Sequence, residues 1–210
     1  MEKTYVKTIA ALSRTVDLKD AYIGGHTDRV AFYARTIAKR LNPELLQDRN
    51  FKYSLLLHDI GKTGVAEQIM GKVEKLTDEE WQILRGHPEK GVEILKEVEF
   101  LSPALRSVRS HHERWDGKGY PDSLNGEEIP LVARIIALAD SFDAMTTNRP
   151  YRKGMSFEQA KEEILQQSGH QFDPEVVKNF FLSWEEIKNF AKLVKQILQL
   201  EKETFEGSNS

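Results

Sequence analysis

The stretch 129–147, IPLVARIIALADSFDAMTT, decides the fold class of this chain. Pro130 suits the first turn of a helix, and apolar residues then recur at steps of three and four, as one buried face of an α-helix requires. This stripe consists of Leu131, Ile135, Leu138, Phe142 and Met145. The stretch also carries Asp140 in the middle of an apolar run. It therefore predicts a largely apolar helix that contains a carboxylate.

Helical patterns dominate the rest of the sequence. Thr77 and Ser156 each stand three residues before a Glu or Gln, the spacing of a capping box at a helix start. Asp173–Pro174 is a start signal for one last long helix. Sustained strand-like alternation is hard to find, so the sequence predicts a single all-α domain.

The predicted last helix carries a near-heptad apolar stripe. Such a stripe favours packing against the body of the domain, and it is also typical of a self-association or signalling helix, because similar spacing builds coiled coils. A homodimer formed through this helix is the second interpretation. The stripe consists of Val177, Phe181, Trp184, Ile187, Ala191, Val194 and Leu198.

The composition excludes several classes of protein. The 210 residues carry a formal net charge of −3 and no cysteine, which excludes disulfides, thiolate metal sites and a cysteine nucleophile and argues against charge-driven binding of nucleic acid polymers. The sequence shows neither a signal-peptide pattern nor an apolar run long enough to span a membrane. We therefore expect a soluble, cytoplasmic protein.

Histidines and aspartates occur in places that favour a buried polar site. His58 follows three leucines and precedes Asp59, and His87 is expected to end an amphipathic helix. A single histidine is usually a surface or hydrogen-bonded core residue, and Asp140 alone is also consistent with a buried ion pair or a helix cap. Burying so many imidazoles and carboxylates is costly unless they are paired or bind metal. The candidate ligands are five of the six histidines, among them His58, His87, His111 and His112, together with Asp59 and Asp140.

The number of candidate ligands predicts two metal ions. Five histidines and two aspartates exceed the needs of one ion and fit two ions that share a bridging carboxylate. Such centres generate hydroxide at neutral pH and stabilise charge in phosphoryl transfer. Nitrogen and oxygen ligands without sulfur suit iron, manganese, zinc or nickel. Because neighbouring helical residues point about 100° apart, we expect His111 and His112 to serve a pair of metal sites rather than one ion.

Four sequence motifs resemble a known family. HDIGK (58–62) is similar to the signature of the HD superfamily of metal-dependent phosphohydrolases. HHERWDGKGYP (111–121), the stretch from 129 to 152 that ends in NRPYR, and FDPEVV (172–177) narrow the resemblance to the HD-GYP subgroup. The resemblance covers about residues 20–182. It implies a multi-helix HD-type bundle that encloses a dinuclear metal site. We expect residues 1–210 to form a single domain, in which this core is flanked by an N-terminal helix at 1–19 and a long C-terminal helical extension at 183–205.

The resemblance also implies an activity and roles for individual residues. Many HD-GYP members hydrolyse the bacterial second messenger cyclic di-GMP to linear pGpG, and some continue to GMP. Seven residues match metal ligands of the family, and Asp59 among them matches the bridging carboxylate. These candidate ligands are His26, His58, Asp59, His87, His111, His112 and Asp140. Lys62 matches a residue that contacts the scissile phosphate, whereas Arg149 and Arg152 match basic positions that hold the substrate's phosphates. The predicted cofactor is two divalent ions, with iron or manganese favoured over zinc or nickel, and the predicted nucleophile is a hydroxide held between them.

The sequence departs from the family pattern at two places. Members with a third metal carry a glutamate four residues before the first ligand histidine, where this chain has Tyr22. A tyrosine is a poor replacement because its phenol normally stays protonated, so we expect two metals and pGpG as the main product. The loop after Lys62 also differs, which leaves the shape of the substrate groove open. His170 has no ligand counterpart and is expected to be structural or exposed.

Two other kinds of function compete with hydrolysis of cyclic di-GMP. The substrate of the enzyme could be another cyclic dinucleotide, such as a mixed one. Alternatively, the chain could be a weakly catalytic cyclic dinucleotide receptor, or a scaffold that docks a diguanylate cyclase through the loop 117–121, here called the GYP loop. The complete set of candidate ligands favours an enzyme, because a scaffold would tolerate the loss of ligands.

Overall fold

The computed structural model describes residues 2–19, 25–148 and 153–207, and these residues form α-helices and short 3₁₀ helices without any β-strand. The predicted all-α class is therefore confirmed. The α-helices are α1 (Glu2–Lys19), α2 (His26–Leu41), α3 (Arg49–Leu57), α4 (Glu67–Met70), α5 (Asp78–Arg85), α6 (His87–Leu95), α7 (Ser102–Ser110), α8 (Leu131–Thr146), α9 (Phe157–Gln166), α10 (Pro174–Leu182) and α11 (Trp184–Gly207).

Two apolar clusters hold the helices together. The larger one packs α2 and α8 against the C-terminal helices, with the Phe142 ring edge-on to Tyr33 at 5.1 Å and to Phe180 at 5.3 Å between centroids. The smaller one joins α1, α3 and α7 through residues such as Leu57 and Val108. The apolar stripe predicted on α8 thus faces the main core, and α2 and α8 run side by side.

A close backbone contact places the segment after α3 against α6. A Cβ atom on Gly61 would lie 1.9 Å from the carbonyl oxygen of His87 and 2.6 Å from the amide nitrogen of Gly91. Only glycine fits there, because real Cβ atoms do not approach backbone atoms so closely. The 3₁₀ helix Ile60–Gly64 can therefore lie directly on α6.

The predicted capping boxes are confirmed, but two predicted helix ends are wrong. Thr77 and Ser156 both make the reciprocal capping bonds. His87 begins α6 rather than ending the preceding helix, which stops at Arg85. The predicted last helix is two helices, because the chain turns at buried Ser183, whose hydroxyl donates to the Thr36 carbonyl.

The long C-terminal helix α11 has an inner and an outer part. Its first turns bury Trp184, Ile187 and Ala191 in the main core, as the packing interpretation of the apolar stripe predicts. Farther along, Leu193 and Leu200 are exposed to solvent. Within the described residues, no helix has the length and apolar character needed to cross a membrane.

Candidate metal centre

The structure places all seven candidate ligands in one cluster, which divides into two groups. In each group the potential ligand atoms lie within 4.8 Å of one another. The His26 group is formed by His26, His58 and Asp140. The His87 group is formed by Asp59, His87, His111 and His112. Residues far apart in the sequence therefore converge where α2, α3, α6, α7 and α8 meet.

Asp59 lies between the two groups. Its Oδ1 atom is 3.2 Å from His87 Nε2 and 3.8 Å from His111 Nε2. Its Oδ2 atom is 3.5 Å from the Nε2 atoms of both His26 and His58. One carboxylate thus presents one oxygen to each group, which is the arrangement that a bridging ligand requires.

Three imidazoles are oriented by the backbone of their own chain segment. In each, Nδ1 lies at hydrogen-bond distance from the carbonyl oxygen three residues earlier, so Nδ1 donates and Nε2 keeps a free lone pair. Metal-binding histidines are commonly oriented in this way. The distances are 2.9 Å for His58 to Leu55, 2.7 Å for His87 to Leu84 and 2.6 Å for His111 to Val108.

His26 is oriented by an ion-paired carboxylate that the sequence analysis missed. Asp143 Oδ2 lies 2.8 Å from His26 Nδ1, and the same carboxylate accepts bonds of 2.7 and 2.9 Å from Arg29. Asp143 is buried on α8, three residues after Asp140, and Arg29 follows His26 by three on α2. This i, i+3 spacing is the one signal in the sequence that could have suggested both residues.

The electrostatics of the His26 group reflect its carboxylates. Burial alone would lower the pKa of His26, but the carboxylates of Asp143 and Asp59 raise it to about 10. Burial alone would raise the pKa of Asp59, but the charges of Lys62 and His58 and the neighbouring His26 imidazole hold it well below its usual range. Without a metal, the group is therefore an ion-paired network.

The expectation that His111 and His112 serve separate sites is wrong, since both belong to the His87 group. Their ring centroids are 4.2 Å apart. The angular rule for helices does not apply because α7 ends at Ser110 and the chain turns at the two histidines. Burial, followed by the charge of neighbouring imidazoles, lowers the pKa of both rings well below 6.5.

The Nε2 atoms of the cluster are placed to bind metal ions rather than to form hydrogen bonds. The Nε2 atoms of His26 and His58 are buried without a hydrogen-bond partner among the described residues. The Nε2 atoms of His87 and His111 lie 3.1 Å apart, and each Nδ1 already donates to a carbonyl. Two lone pairs that face each other in a buried site need a cation or a proton between them. The cluster could therefore hold metal ions.

The remaining residues named in the sequence analysis lie outside the two ligand groups or outside the described residues. Lys62 lies beside the cluster, with Nζ 2.6 Å from Asp59 Oδ2. Arg149, Arg152 and Tyr22 are outside the described residues. His170 is exposed on the loop after α9 and belongs to neither group.

Comparison with known proteins agrees with this architecture. A family model described as "HD domain" matches residues 10–176. The chain belongs to the HD domain family, and the resemblance to its HD-GYP subgroup is confirmed by relatives with cyclic dinucleotide phosphodiesterase names.

The relatives include enzymes named for two different substrates. A Vibrio cholerae 3′3′-cGAMP-specific phosphodiesterase 2 is 35% identical over 188 residues, covering 89% of this chain and 36% of the relative. A Vibrio cholerae cyclic di-GMP phosphodiesterase is 38% identical over 187 residues, covering 82% of this chain and 38% of the relative.

A solved structure shows the same fold. The crystal structure of V-cGAP3, a cyclic GMP-AMP specific phosphodiesterase of V. cholerae, superposes with a TM-score of 0.69 at 21% identity, covering 89% of this chain and 50% of that one. The chain thus spans between about a third and a half of the length of these three proteins.

Proposed function

We propose that this chain is a metal-dependent phosphodiesterase domain that hydrolyses cyclic di-GMP to linear pGpG, with GMP as a minor further product. The observation that carries the proposal is the position of Asp59, which offers one carboxylate oxygen to each ligand group. A shared carboxylate between two imidazole-rich groups is suited to a pair of divalent ions, iron or manganese in preference to zinc or nickel.

The residues of the cluster have distinct roles in this proposal. The His26 and His87 groups would hold one ion each. When bound, such a pair supplies an activated water and stabilises charge on the attacked phosphate. Lys62, whose ammonium group is 2.6 Å from Asp59, places a positive charge where the scissile phosphate would lie. Arg149 and Arg152 would hold the substrate's phosphates by bidentate hydrogen bonds.

A second substrate is favoured by a specific observation. The chain has similar identity to relatives named for cyclic di-GMP and for 3′3′-cGAMP, 38% and 35%. Both substrates share the ring of two phosphodiesters that a two-metal site would attack and differ in one purine. Hydrolysis of 3′3′-cGAMP is therefore the alternative to hydrolysis of cyclic di-GMP.

One experiment tests the function, the substrate and the ion count. Protein purified without oxygen is analysed for metals and then incubated with cyclic di-GMP, 3′3′-cGAMP or cyclic di-AMP, and products are separated by chromatography. We expect two ions per chain and fastest conversion of cyclic di-GMP, with pGpG accumulating. Asp59→Asn is the inactive control, and Asp28→Asn, an exposed aspartate outside the cluster, is the matched active control. Binding without turnover in fully loaded protein would identify a receptor instead.

Three further predictions from the sequence remain proposals. We propose that residues 1–210 form one domain, with a core at about 20–182, an N-terminal helix at 1–19 and a C-terminal extension at 183–205. A diguanylate cyclase could dock on the outer side of the GYP loop, where Lys118 is exposed. A homodimer could form through the exposed outer part of α11.

A further inference from the structure

The five histidines of the cluster are not all oriented in the same way. Four of them place Nδ1 against an oxygen atom, which is the Asp143 carboxylate for His26 and a backbone carbonyl for the other three. His112 differs. Among the described residues, no oxygen accepts a hydrogen bond from its ring. Its ring instead stacks on Tyr120, with centroids 4.9 Å apart and planes inclined by 22°.

Tyr120 is held firmly beside His112. Its backbone N–H donates to the His112 carbonyl at 3.3 Å. A Cβ atom on the preceding Gly119 would lie 2.5 Å from Glu113 Cα and 2.4 Å from Arg114 N, so the loop lies directly on the backbone that follows His112. The backbone of Tyr120 is therefore fixed relative to the histidine.

The buried carboxylate of Glu113 holds the segment that directly follows the GYP loop. Glu113 accepts the backbone N–H groups of Asp122 at 2.7 Å and Leu124 at 3.1 Å. Arg109 binds the Asp122 carboxylate through two bonds of 2.7 and 2.8 Å. Glu113 is buried although it is an acidic residue, and these bonds satisfy its oxygens. The loop is thus anchored on both sides of Tyr120.

Tyr120 is also partly covered by a cation. The guanidinium carbon of Arg85, the last residue of α5, lies 5.6 Å from the centroid of the Tyr120 ring. Arg85 in turn lies 5.8 Å from the Trp81 ring. Such cation–π contacts favour a fixed ring position. The Tyr120 ring therefore contacts His112 on one element and Arg85 of α5 on another.

We propose that Tyr120 is a positioning residue, whose ring fixes the His112 imidazole in the orientation in which its nitrogen can bind a metal ion. The stacked ring would do for His112 what an oxygen acceptor does for the other four histidines. This inference rests on the proposed function only because it requires His112 to be a metal ligand. It gives the tyrosine of the GYP loop a role inside the centre, separate from docking of a partner.

The test measures binding of Mn²⁺ alone, without substrate, to the metal-free chain of residues 1–210 by isothermal titration calorimetry. Tyr120→Leu removes the aromatic face and should lower the affinity for one of the two ions by about 10–100-fold, the range typical of residues that orient metal ligands. Tyr120→Phe keeps the face and should bind within about threefold of wild type. Tyr5→Leu, which removes an exposed tyrosine ring that packs against Phe100 outside the cluster, is the matched control and should bind like wild type.

A double-mutant cycle separates a positioning effect from a general loss of stability. In a His112→Ala background there is no ring to position, so Tyr120→Leu should cause no further loss of Mn²⁺ affinity. An equal loss in both backgrounds would overturn the inference, as would wild-type affinity in Tyr120→Leu or an equal loss in Tyr120→Phe. Absence of cyclic dinucleotide hydrolysis would count against the proposed function and leave this measurement valid.

Discussion

The two ligand groups of the cluster share Asp59 but are built on different electrostatic principles. The His26 group contains Asp140 and is supported by the buried pair of Asp143 and Arg29, so that opposite charges hold it together without a metal. The His87 group has three imidazoles and no carboxylate besides Asp59. Its rings are held by backbone carbonyls and by one aromatic stack.

This difference indicates how each half behaves when it is empty. In the His26 group a protonated imidazole takes the place of a cation among carboxylates, as the pKa of about 10 for His26 shows. In the His87 group, burial and neighbouring imidazoles keep His111 and His112 neutral. Without a metal, the first group is therefore neutralised by a proton, whereas the second presents lone pairs that need a cation or a proton between them.

The strongest test of the comparison is to remove the carboxylate that both groups share. Asp59→Asn keeps the shape of the side chain and removes its charge. We expect ions to be lost from both groups and turnover to fall by about 10³-fold or more, since bound ions lower the activation barrier by several kcal/mol. Elemental analysis and a chromatographic assay measure the two effects. Wild-type turnover after complete metal loss would disprove the proposed mechanism.

A smaller effect is expected for Lys62, which contacts the cluster without belonging to either ligand group. Lys62→Gln should lower turnover by roughly 10²–10³-fold, the usual cost of losing one group that stabilises transition-state charge, and leave metal content unchanged. Lys90→Gln is the matched control, because Lys90 donates to the Gly64 carbonyl outside the cluster. An unchanged rate for Lys62→Gln would exclude Lys62 from the mechanism.

Asp143 allows the two groups to be separated experimentally. Asp143→Asn should weaken metal binding by about 10–100-fold at the His26 group alone, because the buried pair orients only His26. A titration against a chromophoric chelator should then show that one ion is bound more weakly and the other with unchanged affinity. Equal weakening of both ions would show that the groups do not bind independently.

The companion variant Arg29→Gln separates orientation from stability. It keeps the Asp143 carboxylate against His26, so metal affinity should fall less than in Asp143→Asn. Both variants should lower the free energy of unfolding, because each breaks a buried ion pair.

The smallest expected effect is on thermal stability. Removing both ions from the wild-type protein should lower its melting temperature by roughly 10–20 °C, as expected when two ligands, each present at about 100 times its Kd, are withdrawn from a domain of this size. Added Mn²⁺ should reverse the change. Asp59→Asn protein should melt at the same temperature with and without metal, and a metal-dependent shift in that variant would show that one group binds without the shared carboxylate.

The sequence was sufficient to predict the helical class and the members of the cluster, because their chemistry is visible locally. Asp140 interrupts an apolar stripe, and His58 with Asp59 follows three leucines. The all-α fold required only periodicity and capping signals, two of which are confirmed at Thr77 and Ser156.

The missed features depend on contacts between segments that are distant in sequence. Asp143 looks like an ordinary polar residue on α8 until Arg29 is placed opposite it by the packing of α2. The grouping of His111 with His112 depends on where α7 ends, and helix ends are the least certain part of any pattern-based prediction. The turn at Ser183 likewise depends on α2.

Gly61 controls the distance between the 3₁₀ helix that follows Asp59 and the helix α6 that begins with His87. Because a single methyl group there would meet the His87 carbonyl at 1.9 Å, the 3₁₀ helix would have to retreat by more than an ångström. Asp59 would then move away from His87, and the spacing between the two ion positions would widen. The distance between the two ligand groups is thus set by a backbone contact, and Gly61 controls it although the residue has no side chain.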